Sequence, residues 1–99
     1  MFSNTQELLP EYDSAQSFYR KAFVSSQGNN FPSTSSSAYH ELYSYEQLVA
    51  KWNGSQLIVY PLGVSSQTTL RHVKEFARQL GVYAGSKADI IRNYVTMGA

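Results

Sequence analysis

Cysteine is absent from this 99-residue chain, which excludes disulfides and thiolate metal sites. Histidine is almost as scarce, with only His40 and His72 present. They lie far apart, and neither falls in an HxxxH or HExxH spacing that would turn two imidazoles towards one metal ion. No metal site and no cofactor are expected. Charged residues make up only 15% of the chain and leave a net charge of +1, which argues against an acidic DNA mimic and against a strongly basic coat for nucleic acid. No apolar run approaches the roughly 18–20 residues of a membrane span. The opening MFSNTQELLPEYDS lacks the basic region and long apolar stretch of a signal peptide. A cytoplasmic protein without membrane contact is therefore expected.

Catalytic patterns are missing as well. None of the many serines lies in a G-x-S-x-G elbow, and the glycines form no phosphate loop. The carboxylates are scattered: Glu41 and Glu46 would fall on opposite faces of a straight strand and could not work as a paired acid and base. The expectation is a protein that is not an enzyme.

What the chain does have is aromatic surface. Eight tyrosines and five phenylalanines bring the aromatic share to 14%, within an apolar content of 42%. That suffices for one core, so residues 1–99 are read as a single domain. Tyrosine joins apolar area to a hydroxyl tip and suits half-buried sheets and protein interfaces alike. Charge is unevenly divided. Residues 1–50 carry two basic and five acidic side chains, a net of −3, whereas residues 51–99 carry six and two, a net of +4. Such asymmetry marks a basic face unless the two halves cancel on packing.

Residues 1–14, with Pro10 and scattered charges, read as a loose or short helical lead-in. Residues 17–24 (SFYRKAFV) have the aromatic and β-branched content of a strand. Residues 25–37 (SSQGNNFPSTSSS) read as a flexible Ser-rich loop with Phe31-Pro32 as its one hydrophobic point. Residues 39–51 (YHELYSYEQLVAK) fit one strand, two strands, or a strand and a bend. Asn53-Gly54, between apolar runs, is a strong hairpin signal, and residues 57–60 form its second arm. Leu70, Val73, Phe76, Ala77 and Leu80 then recur at three- and four-residue steps, with Ser65 or Ser66 as cap and Gly81 as stop. A shorter helix starting at Ser86 would turn Ile90, Ile91, Tyr94 and Val95 inward. The fold class expected is α+β: a three-stranded antiparallel sheet in the order β-β-β-α, with or without a second short C-terminal helix, and the 67–80 helix packed on one face.

Two features of this layout suit a partner. Arg71, Lys74 and Arg78 line one side of the predicted helix at i, i+3 and i+7. Ser66, Thr68 and Thr69 at its start supply hydroxyls and amides able to hold a phosphate. That face fits a nucleic-acid backbone, an acidic protein surface, or an ordinary solvated helix with an Arg71–Glu75 pair. The second feature is aromatic. Tyr43, Tyr45 and Trp52, with Tyr19, Tyr39 and Tyr60 nearby, form either a recognition platform or the core side of the sheet.

Three segments, SFYRKAFV (17–24), LYSYEQLVAKWNG (42–54) and SSQTTLRHVKEFARQLG (65–81), resemble a group of small phage and mobile-element proteins of Gram-positive bacteria. Their pattern runs SFYGKA, then LxSYxTxVA, then a helix with TTxRH and EFxxQxG. About two-thirds of the chain is covered. Arg20 departs from it, standing where glycine is usual, as do the long Ser-rich loop and Gly63-Val64. The group has no known function. What the resemblance implies is a small accessory protein of phage type. Two functions follow as expectations. One is binding and inhibition of a host protein, such as a nucleic-acid-guided defence nuclease in the manner of an anti-CRISPR protein. The other is direct nucleic-acid binding through Arg71, Lys74 and Arg78.

Overall fold

A computed structural model describes residues 4–14, 18, 20–82 and 85–95. Five strands form one antiparallel meander in sequence order: β1 (Asn4–Glu7), β2 (Ala22–Gln27), β3 (Tyr39–Ser44), β4 (Gln47–Trp52) and β5 (Leu57–Val59). A short 3-10 turn, Pro61–Val64, leads into α1 (Gln67–Gln79), and α2 (Lys87–Tyr94) follows. The α+β class is as expected, but five strands replace the three predicted.

The two additional strands have identifiable causes. β1 is the polar run Asn-Thr-Gln-Glu at the sheet edge, paired Thr5 to Ser25 and Glu7 to Phe23. An edge strand whose side chains are largely solvated carries no apolar alternation to read. The other comes from the division of residues 39–51 by a two-residue turn at Tyr45-Glu46, where both residues have positive φ (51° and 68°). Asn and Gly favour such a turn and Tyr-Glu does not, so composition gave no sign of it. β2 also starts later than predicted. It takes in Ser25, Ser26 and Gln27, which the sequence assigned to the loop, while Ser17 and Tyr19 lie outside the described residues.

The rest of the Ser-rich segment is held by its own polar groups. Asn29 Oδ1 accepts from the hydroxyls of Ser35 (2.9 Å) and Ser37 (2.7 Å). Phe31 is buried and stacks on Phe76, with ring centroids 5.3 Å apart. The Asn53-Gly54 hairpin forms as expected. Asn53 Oδ1 accepts from the amides of Ser55 and Gln56, and Gly54 adopts φ 97° with its Cα close against the Ser36 carbonyl. A Cβ there would come within 2.5 Å of that oxygen.

One face of the sheet holds the core. Ala22, Val24, Leu42, Ala50, Trp52, Leu57 and Val59 point to it and meet Leu70, Val73, Phe76 and Ala77 of α1 and Leu80 at its C-cap. This is the stripe read from the sequence, and each large side chain buried there contributes on the order of 1.5–3 kcal/mol. Ser66 caps α1 by accepting the Thr69 amide at 3.1 Å, and Gly81 ends it at φ 80°. Ser86 caps α2 in the same way through Asp89. In α2 Ile90 is buried and Tyr94 half-buried, but Ile91 faces solvent, contrary to expectation.

Apart from the Trp52 indole nitrogen, buried polar side chains among the described residues are paired. Ser26 Oγ lies 2.7 Å from His40 Nδ1, and His40 Nε2 lies 2.7 Å from the Ser33 carbonyl. Because the carbonyl can only accept, Nε2 carries the proton and Ser26 donates to Nδ1. Ser44 Oγ meets His72 Nδ1 at 2.8 Å. Glu75, only 1% exposed, accepts the amides of Glu11 (2.8 Å) and Tyr12 (3.1 Å). It therefore ties the N-terminal segment to α1, and the predicted Arg71–Glu75 surface pair gives way to this inward role.

Candidate functional site

The face of the sheet opposite α1 is built by strict alternation. In β3, His40, Leu42 and Ser44 go to the core, leaving Tyr39, Glu41 and Tyr43 half-buried on the other side. Pairing adds Phe23 beside Tyr43 from β2, Lys51 opposite Glu41 and Leu48 opposite Tyr43 from β4, and Ile58 opposite Lys51 from β5. An irregularity between Leu42 and Tyr43 lets Leu48 join this face while Val49 and Ala50 are both buried.

Glu41 organises the centre. The Tyr39 hydroxyl donates to its Oε2 at 3.0 Å and the Tyr43 hydroxyl to its Oε1 at 2.9 Å. Burial, reinforced by the Glu41 carboxylate, pushes the Tyr39 phenol up to about 12 and raises that of Tyr43. Both remain neutral donors at any physiological pH. Lys51 Nζ sits 5.9 Å from the centre of the Tyr60 ring. The result is a nearly charge-balanced surface of aromatic rings and aliphatic side chains with its polar groups already oriented. Rigid aromatics with two χ angles lose little freedom on binding.

Of the aromatic residues nominated by sequence, Tyr39, Tyr43 and Tyr60 belong to this face, and Tyr19 lies outside the described residues. Tyr45 sits at the β3–β4 turn, 49% exposed, its ring centre 6.0 Å from that of His72. Trp52 faces the opposite way, 8% exposed within the core, and its indole nitrogen has no partner among the described residues. Trp52 is thus a packing residue, because its place in β4 has the same parity as the core residue Ala50. Arg71 and Arg78 are exposed on α1 and Lys74 is half-buried, on the other side of the molecule from the tyrosines. Two of the three proposed phosphate ligands, Ser66 and Thr69, are engaged internally. Ser66 Oγ accepts the Thr69 amide and donates to Thr69 Oγ1 at 3.0 Å, Thr69 is buried, and Thr68 is half-buried.

Glu41 was the main omission from the sequence-based set. The Tyr-x-Glu-x-Tyr pattern of 39–43 places it on one strand face with Tyr39 and Tyr43 and was the signal available for it. Neither Ser–His pair was foreseen. Both resemble a nucleophile beside a base, but His40 and His72 are fully buried and Ser44 and Ser26 nearly so. No three His, Cys, Asp or Glu side chains come together to hold a metal ion among the described residues. Nor is any helix among those residues long and apolar enough to cross a membrane.

Residues 6–92 match the sequence profile of a family of unknown function, DUF8033, and the chain belongs to that family. No curated protein and no solved structure matches it.

Proposed function

We propose that this protein is an accessory domain that works by binding a host-cell protein and blocking it, with the open sheet face as its contact surface. The observation that carries the proposal is the Tyr39–Glu41–Tyr43 arrangement, flanked by Phe23, Leu48, Ile58 and Tyr60, on the face away from the core that α1 covers. Tyrosine-rich, charge-balanced, pre-oriented surface is the composition of protein-binding patches. The likeness of the chain to small phage and mobile-element proteins supports a host target, and a nucleic-acid-guided defence nuclease in the cytoplasm is the class of target we favour.

The competing role, nucleic-acid binding through Arg71, Lys74 and Arg78, has less support. Three cations are few for a backbone contact, and the adjacent helix cap spends its hydroxyls on itself. The test is capture from host lysate using wild type, Tyr39→Ser/Tyr43→Ser, and the triple alanine variant at 71, 74 and 78, each first checked for a native melting curve. The proposal expects one protein retained in equimolar amount by wild type and by the triple variant, and lost from the tyrosine variant. Salt-sensitive binding of DNA or RNA that disappears in the triple variant would reverse the assignment.

A further inference from the structure

The carboxylate at the centre of the open face is held by neutral donors only. Glu41 Oε2 takes the Tyr39 hydroxyl and Oε1 takes the Tyr43 hydroxyl. No ammonium or guanidinium among the described residues comes within ion-pair distance of it. The register places Lys51 directly opposite, where a Glu–Lys pair would ordinarily close across the strands. Its Nζ lies instead 5.9 Å from the Tyr60 ring centre. Other carboxylates are held differently: Asp89 meets Arg92, and buried Glu75 takes two backbone amides.

The geometry around Glu41 leaves room for a visitor. Each carboxylate oxygen accepts one phenol and has capacity for a second donor. The phenols reach it from positions two before and two after on the same strand, so the group is fixed along the strand, half-buried and facing away from the core. The charged side chains that the strands place on this face are Glu7, Glu41 and Lys51, two carboxylates to one ammonium. Covering Glu41 with an apolar surface would strip its water without replacement, which is strongly unfavourable. A guanidinium answers this need better than an ammonium. Its parallel N–H groups match the two oxygens, and its plane stacks on aromatic rings such as those of Tyr39 and Tyr43.

We propose that Glu41, between Tyr39 and Tyr43, is the docking point for an arginine side chain of the partner protein. The inference rests on the reading of this face as the contact surface and adds what the partner must carry.

The experiment is an amide-shift titration of the full chain with three acetylated, amidated peptides: Leu-Arg-Leu, Leu-Lys-Leu and Leu-citrulline-Leu. Citrulline keeps the shape of arginine and lacks its charge. Saturable shifts at residues 39–43 are expected with the arginine peptide, weaker with lysine, and roughly tenfold or more weaker with citrulline. In Glu41→Gln, checked for a native melting curve, the arginine response should fall to the citrulline level. Lys51→Met, which removes the neighbouring like charge, should strengthen it. Equal response to arginine and citrulline, a stronger response to lysine, weakening in Lys51→Met, or no response at millimolar concentration would each overturn the proposal. So would an arginine response unchanged in Glu41→Gln. The lysate capture separates this failure from that of the underlying reading. A protein retained by wild type and by Glu41→Gln, but lost from Tyr39→Ser/Tyr43→Ser, would overturn the arginine docking alone. Retention by the tyrosine variant would overturn both.

Discussion

Two buried residues show how the account can be tested one side chain at a time. Glu75 accepts the amides of Glu11 and Tyr12 from a position 1% exposed, and Gln79 Nε2 reaches both it (2.5 Å) and the Leu9 carbonyl (2.8 Å). Removing the carboxylate leaves amides without an acceptor, so Glu75→Ala should lose about 2–4 kcal/mol in denaturant unfolding. Glu75→Gln, which keeps one acceptor, should lose less. Hydrogen exchange at residues 11 and 12 should accelerate before exchange in β3 and β4. His40 answers to pH. Burial pushes its imidazole below the ordinary value of 6.5, against a smaller opposing effect of the Ser33 carbonyl. A depressed folded-state value means that the contribution is present above pH 6.5 and is lost as acid protonates the unfolded imidazole first. Melting temperature should therefore fall from pH 7.5 to pH 5, and the slope should flatten in His40→Gln. Neither role was legible in the sequence. A glutamate among polar helix residues and a lone histidine give the same signal whether buried or exposed, since what buries them is a partner distant in the chain.

At the scale of elements, legibility followed the strength of local periodicity. α1 was readable because its stripe, its serine cap and its terminal glycine agree. Phe76 is fully buried and stacked on Phe31, so Phe76→Ala should cost roughly 3–5 kcal/mol. Thermal unfolding checks this, and a near-wild-type curve would contradict the orientation of the helix. The Asn53-Gly54 hairpin was readable for the same reason. The Tyr45-Glu46 turn was not, because it uses residues that the turn does not favour. Position 20 is instructive here. Arg20 takes up a positive φ, 57°, that glycine would accept without strain. β1 was unreadable because a polar edge strand is specified by its neighbour β2 rather than by its own side chains.

For the whole molecule, the arrangement puts the two candidate surfaces, the basic side of α1 and the tyrosines, on opposite sides of the sheet. α1 covers one side of a five-stranded meander and carries Arg71, Lys74 and Arg78 outward. Tyr39, Glu41, Tyr43 and Tyr60 lie on the opposite side. The pairing that decides this is non-local, and a single residue of register would exchange the faces. Trp52 and Tyr43 were nominated together, yet they point to opposite faces of the sheet.

The central claim is that the tyrosine face, and not the basic side of α1, is the working surface. Side-chain oxidative footprinting of the protein alone and in host-cell extract tests it most directly. Tyr12, 59% exposed and tied through its amide to Glu75 of α1, reports on the helix side. The account predicts protection at Tyr39, Tyr43 and Tyr60 in extract, with Tyr12 and the outward residues of α1 unchanged. Protection confined to α1, with the three tyrosines as reactive as in the isolated protein, would contradict it.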